Sequence, residues 1–361
     1  MRQEIGHGQA LAAELAALRE TMTTMISRLR SSLLATGFIL ACCAGAFALG
    51  RMPVAETAAS ASAAAPDAEI TDPGPDGRRI DEPGVFANVF PARGPRAGEG
   101  RAALVIGGSE GGLGDASTRT ARMLQAEGWT VLQPAWFAAP GLPDDVDAIP
   151  LETFDRAIER LKAEPGVDAD RIVVLGWSKG AEAALLVAAR RRDVRATVAA
   201  APAHVAWQGF VRSGNTRSIG SSWSSEGKPL PFIALGGWNG SVFDLYLDGL
   251  RAASPEALEA AAIPVERAAG PVLLGCGEDD GLWPACDMAR AVEARVRARG
   301  GPAVVLLAYP GAGHAAIGPP FQADRPTGPS PPMMGGSFEA DRAARADSWP
   351  RILAFLDQAT R

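Results

Sequence analysis

Arg171-Ile-Val-Val-Leu175 runs straight into Gly176-Trp-Ser-Lys-Gly180, and an Ala/Leu-rich stretch continues from Lys179 to Arg192. The first part is a short apolar run of strand type, and the last reads as a helix. Between them stands Gly-x-Ser-x-Gly, the pattern of a tight strand-to-helix turn that lifts a serine hydroxyl above a sheet. The two glycines leave room for strand and helix to approach closely. Ser178 is therefore the candidate nucleophile, with both flanking elements where the turn needs them.

The same alternation extends in both directions. Short apolar runs occur at 102–106, 129–132, 172–175, 196–201, 272–274 and 304–308, and helical stretches at 118–127, 151–163, 179–192 and 287–299. The runs are nearly continuous in Val, Ile, Leu and Ala, as expected of strands buried on both faces. Together they predict an α/β-hydrolase fold, with a mostly parallel central sheet and helices on both faces. The pattern breaks at about 205–250, where Trp207, Trp223 and Trp238 lie among Gly, Ser and Pro. That irregular insertion is expected to lie over the mouth of the sheet as a lid or a wall of an acyl pocket.

A serine nucleophile needs a base, and the base needs a carboxylate to orient it. In this fold the chain order is serine, acid, histidine, each on a loop after a strand. The chain has three histidines. His7 lies in the amino-terminal tail, and His204 comes too early to leave space for an acid, so it reads as structural or as a residue lining the pocket. His314, in Tyr309-Pro-Gly-Ala-Gly-His314, follows the last apolar run through a Gly-rich loop. The acid belongs in Gly275-Cys-Gly-Glu-Asp-Asp-Gly-Leu-Trp283, where Glu278, Asp279 and Asp280 all qualify on spacing. The oxyanion of a tetrahedral intermediate would be held by the backbone N–H of Lys179 and by N–H groups of the loop Gly107-Gly-Ser-Glu-Gly-Gly112, those of Ser109 and Glu110. That loop lacks the Gly-Lys-Ser/Thr ending of a phosphate-binding loop.

The chain is 361 residues long with a formal net charge of −6 and dispersed Lys and Arg, so no nucleic-acid partner is expected. Four cysteines, none at zinc-ligand spacing, and so few histidines give no metal centre, and nothing calls for an organic cofactor. Ser31 to Gly50 carries no charge and follows Arg28 and Arg30. It would serve as a secretory signal cleaved after Ala48, as a lipoprotein signal leaving Cys42, or as an uncleaved membrane anchor. Each fate exports the remainder, to the periplasm or to a membrane-anchored position outside the cytoplasm. The organisation is thus an extension and signal at 1–50, an Ala/Ser/Pro-rich linker at 51–69, and a catalytic domain at 70–361.

Several stretches together resemble the carboxy-terminal catalytic domain shared by acyl-CoA thioesterases and bile acid-CoA:amino acid N-acyltransferase. They are Gly107-Gly-Ser-Glu-Gly-Gly-Leu113, Gly141-Leu-Pro143, Ile149-Pro-Leu-Glu-Thr-Phe154, Gly176-Trp-Ser-Lys-Gly-Ala-Glu182, Glu278-Asp-Asp-Gly-Leu-Trp-Pro284 and Tyr309-Pro-Gly-Ala-Gly-His314 with Pro319-Pro320 after it. The resemblance covers about Glu82 to the carboxy terminus. It implies a triad of Ser178, Asp280 and His314, with Asp279 as the fallback acid, acting on a small-molecule acyl thioester or ester. Serine, rather than the cysteine of some acyltransferase members, tilts the implied activity towards hydrolysis. The larger members carry a β-sandwich domain ahead of the catalytic one, which the short stretch before the first core strand does not accommodate. Alternatives are an exported carboxylesterase or dienelactone-hydrolase-like enzyme on small esters, acyl transfer to an amine, and a binding protein on an inactive scaffold. In an oxidising compartment Cys276 and Cys286 would pair and pin the loop of Asp280; otherwise they are two buried thiols.

Overall fold

The computed structural model describes residues 69–211, 219–321 and 330–361. The extension, the apolar run 31–50 and nearly all of the linker lie outside the described residues. Among the described residues no helix is long and apolar enough to cross a membrane.

The strands in chain order are β1 (Arg78–Glu82), β2 (Val85–Phe90), β3 (Ala102–Ile106), β4 (Thr130–Pro134), β5 (Ile149–Pro150), β6 (Ile172–Trp177), β7 (Val194–Ala200), β8 (Trp223–Ser225), β9 (Lys228–Pro229), β10 (Val272–Gly277) and β11 (Val304–Tyr309). Eight of them form one sheet in the order β1-β2-β4-β3-β6-β7-β10-β11. β1 and β2 are an antiparallel hairpin and β2 joins β4 antiparallel; every other pairing in this sheet is parallel. The order reverses between β3 and β6, and the loops at the carboxyl ends of those strands open the crevice where open α/β sheets bind ligands.

The helices are α1 (Asp115–Ala126), α2 (Glu152–Lys162), α3 (Lys179–Arg190), α4 (Val242–Ala252), α5 (Pro255–Ala261), α6 (Ala285–Arg299) and α7 (Phe338–Ala359). Alternate residues of β3 show how they divide. Ala103 and Val105 belong to a core with Ala121 and Leu124 of α1 and Trp349, Ile352 and Leu356 of α7. Ala102, Leu104 and Ile106 belong to the other core, with residues of α2, α3 and α6. A strand that faces helices on both sides has no polar position, which is why its sequence is a continuous apolar run.

The 205–250 segment is not a lid in its described part. β8 pairs with β5 and β9 in a small separate sheet, and Trp207 and Trp223 are wholly buried in the core with α2 and α3. Trp238 alone of the three is exposed. Serine caps start the later helices: Ser241, Ser254 and Ser337 accept the Asp244, Ala257 and Ala340 N–H groups.

Candidate active site

Ser178 sits at the junction of β6 and α3 with φ +52° and ψ −120°, a left-handed conformation that a serine rarely adopts. Its neighbours explain why the turn can be so tight. A Cβ on Gly176 would lie 2.0 Å from the Gly180 carbonyl oxygen, and one on Gly180 would lie 2.2 Å from that of Gly107. Only glycine fits at either place. The turn therefore presents the Ser178 side chain at the carboxyl end of the sheet, beside the loop that follows β3.

His314 follows β11, and its N–H donates to the Met334 carbonyl at 2.7 Å. Its Nε2 lies 2.9 Å from Ser178 Oγ, and its Nδ1 lies 2.7 Å from Asp280 Oδ2. The other carboxylate oxygen of Asp280 accepts the N–H groups of Leu282 at 2.8 Å and Trp283 at 3.2 Å. All three side chains are buried. An ionised carboxylate only accepts, so Nδ1 carries the proton and Nε2 accepts from the serine hydroxyl. Of the three adjacent acids, Glu278 is exposed and paired with Arg290 at 2.6 Å, Asp279 is exposed, and Asp280 alone turns inward.

The loop carrying Asp280 is held from several sides. Cys276, at the end of β10, is disulfide-bonded to Cys286, in the first turn of α6, with Cα atoms 5.3 Å apart. Trp283 is buried and packs edge-on against the His314 ring at 6.0 Å, and Tyr246 of α4 packs edge-on against Trp283 at 5.1 Å. His204 does not line the cavity described below. Its Nδ1 finds no partner among the described residues, and burial lowers its pKa to about 4.

The Gly107–Gly112 loop lies across from Ser178, with Ser109 and Glu110 on the wall of the same cavity. Glu110 folds back over its own loop. Its carboxyl accepts the Gly108 N–H at 3.1 Å and its own N–H as well. Glu110 is exposed at the cleft, yet surrounding protein desolvates its carboxyl enough to raise its pKa, an effect the two N–H groups partly oppose. On the other side of the serine, Lys179 is buried and its ammonium meets Glu182 Oε2 at 2.8 Å. Glu182 Oε1 accepts the Trp207 N–H at 2.9 Å and the Trp223 indole N–H.

A cavity of about 380 Å³ opens beside Ser178 and His314. Its walls come from β3, β6, β7, α1 and α7, with Met333 and Met334 at the entrance. No described residue of 205–250 lines it, so the described part of that segment forms no acyl-pocket wall; residues 212–218 lie outside the described residues. Met333 and Met334 were not anticipated; they lie in a Pro-rich stretch without periodicity. Among the described residues no cluster of His, Cys, Asp and Glu is arranged to hold a metal ion.

Strand order, the strained serine turn and the loops around it are those of an α/β-hydrolase. Residues 149–361 match the family described as BAAT / Acyl-CoA thioester hydrolase C terminal, and the chain belongs to that family. The match begins after the Gly107–Gly112 loop. Mouse acyl-coenzyme A thioesterase 3 is 26% identical over 248 residues, covering 65% of this chain and 54% of that protein. Mouse acyl-coenzyme A amino acid N-acyltransferase 1 is 29% identical over 298 residues, covering 79% of this chain and 65% of that protein. The chain thus spans about half the length of the thioesterase relative. A solved structure of a dienelactone hydrolase from Klebsiella pneumoniae, itself assigned only provisionally, shares 19% identity over 76% of this chain and 93% of its own, with a TM-score of 0.47. The strand order above, and not that likeness, carries the fold assignment.

Proposed function

We propose that the protein is a serine hydrolase that cleaves an acyl thioester or ester through Ser178, His314 and Asp280 by way of an acyl-enzyme. The observation that carries this reading is the continuous hydrogen-bond chain from Asp280 through His314 to Ser178, at the mouth of an apolar cavity. His314 Nε2 takes the hydroxyl proton as Ser178 Oγ attacks the acyl carbonyl, and Asp280 holds the imidazolium that forms. The oxyanion is stabilised by the N–H of Lys179 at the start of α3 and by N–H groups of the Gly107–Gly112 loop, Ser109 and Glu110 among them. Glu110's own carboxyl rests on two of that loop's donors, and its raised pKa favours the neutral form, which releases them more readily. His314 passes its proton to the departing thiol or alcohol. It then activates a water that attacks the acyl-enzyme, and the free acid leaves with Ser178 restored.

The relatives' names support a CoA thioester as the bond cleaved. A second reading, an oxygen ester cleaved outside the cytoplasm, is favoured by the Cys276–Cys286 disulfide together with the uncharged run 31–50, through which the chain would be exported or anchored in a membrane. CoA thioesters are intracellular, so the two readings separate by leaving group. Acyl-CoA thioesters and matched oxygen esters are compared with purified protein and a Ser178→Ala variant. Ser178→Ala is expected to abolish turnover and covalent labelling by a fluorophosphonate. Turnover retained in that variant would overturn the assignment, and an amide formed from an added amine, in place of free acid, would make the enzyme a transferase.

A further inference from the structure

The cavity beside Ser178 continues well past the reacting atoms. It follows the face of the sheet that carries Val105, Leu175 and Val198 and reaches Thr120 of α1 and Trp349 and Ile352 of α7. Exposure falls along the way, from 55% at Met333 by the entrance to 6% at Thr120, 5% at Trp349 and 1% at Ile352. Thr120 lies one helical turn beyond Ala116, which is exposed, so α1 runs from the mouth into the interior. Both hydroxyls that α1 supplies are already spent on backbone: Ser117 Oγ donates to the Gly114 carbonyl at 3.0 Å and Thr120 Oγ1 to the Ala116 carbonyl at 3.1 Å. The ionisable side chains on the wall, among the described residues, are His314 and Glu110. No lysine or arginine among the described residues lines it.

Resting on the hydrolase reading above, we propose that this cavity is the acyl site, that it takes an uncharged apolar chain, and that Thr120 and Ile352 set the limit on its length. A cavity of about 150 Å³ lined by apolar side chains holds one benzene, so the volume here corresponds to a chain on the order of fifteen carbon atoms. An acyl group ending in a carboxylate meets no lysine or arginine among the described residues that line the cavity. Such a chain is rejected by the cost of desolvating its carboxylate. The selectivity therefore belongs to the sheet, α1 and α7, and is independent of the described part of the segment 205–250.

The test is a chain-length series on the intact protein, from acetyl to hexadecanoyl, using p-nitrophenyl esters and CoA thioesters, together with adipoyl and its methyl-ended counterpart hexanoyl. Ser178 labelling by a fluorophosphonate is followed in parallel. The expected profile rises about fourfold in kcat/KM per added methylene and breaks at about fifteen carbons. Adipoyl is expected to fall at least tenfold below hexanoyl. Thr120→Phe fills the deep end and moves the break to shorter chains; Ile352→Ala enlarges it and moves the break to longer ones. The long-to-short ratio thus changes in opposite directions in the two variants, a pattern that loss of folded protein does not produce. A wild-type enzyme that labels at Ser178 but shows a flat profile, or a break that neither variant moves, overturns the acyl-site proposal alone. Failure of Ser178 to label would overturn the hydrolase reading and this proposal with it.

Discussion

Replacing Glu182 by alanine removes the one acceptor that three buried donors share. Glu182 has no exposed surface, and its two oxygens take the Lys179 ammonium at 2.8 Å, the Trp207 N–H at 2.9 Å and the Trp223 indole N–H. Breaking a buried ion pair by deleting one partner costs about 3–5 kcal/mol. Each neutral donor left unpaired adds about 1–3 kcal/mol, less than additively where the groups share one site. Lys179 has an outlet, because burial already lowers its pKa and Glu182 opposes that shift; once Glu182 is gone the lysine sheds its proton more readily. The charge cost is capped accordingly, and the expected loss is about 4–6 kcal/mol, a large part of the roughly 5–15 kcal/mol that holds a domain folded. With a urea m-value of about 2.5 kcal/mol/M the denaturation midpoint should drop by about 2 M at unchanged m. The double variant Lys179→Met with Glu182→Gln removes the charges together and keeps an acceptor for the tryptophans. It should recover to within about 2 kcal/mol of the wild type. A loss below about 1 kcal/mol for Glu182→Ala, or a double variant as unstable as the single one, would refute the view that this carboxylate anchors the insertion to the serine helix.

His204 supplies a pH dependence whose sign is fixed by its environment. Its folded pKa of about 4 lies below the ordinary 6.5, so between those values the unfolded chain binds the extra proton, and stability is full above about pH 6.5 and lost as pH falls through 4. The difference amounts to at most about 3 kcal/mol; His204→Leu should flatten the change in urea midpoint between pH 7 and pH 4, and an unchanged slope would remove His204 as its source. Reducing the Cys276–Cys286 bond, which joins residues 10 apart, should cost about 2–3 kcal/mol and lower kcat with it, because the freed loop carries Asp280. Both should return on reoxidation; an unaltered kcat would mean that the Asp280 hydrogen bonds and Trp283 hold the loop unaided.

What could be read from the sequence was whatever depends on near neighbours in the chain. The serine turn is legible because its constraint is local: Gly176 and Gly180 must lack side chains for β6 and α3 to cross, and they stand two residues either side of Ser178. The parallel strands are legible because burial on both faces leaves a continuous apolar run. β1 reads Arg-Arg-Ile-Asp-Glu and forms at the sheet edge only because β2 is there to pair with it. α7 carries Pro350 in its middle and little amphipathic contrast, and it became recognisable only with the sheet face that Trp349 and Ile352 cover. The three acids after β10 are equivalent on spacing; they separate in space because Arg290, itself on α6, draws Glu278 outward while the N–H groups of Leu282 and Trp283 draw Asp280 in. The tryptophan-rich insertion illustrates the same limit from the other side. Its irregular pattern suggests a flap over the cleft, whereas Trp207 and Trp223 are tied to Glu182 and buried. The trace of this in the sequence is Glu182 itself, a carboxylate among alanines and leucines on a helix buried nearly all round. A charge in that position must find donors from elsewhere in the chain. Which donors they are is a long-range fact, and Trp207 and Trp223 turn inward because they supply them.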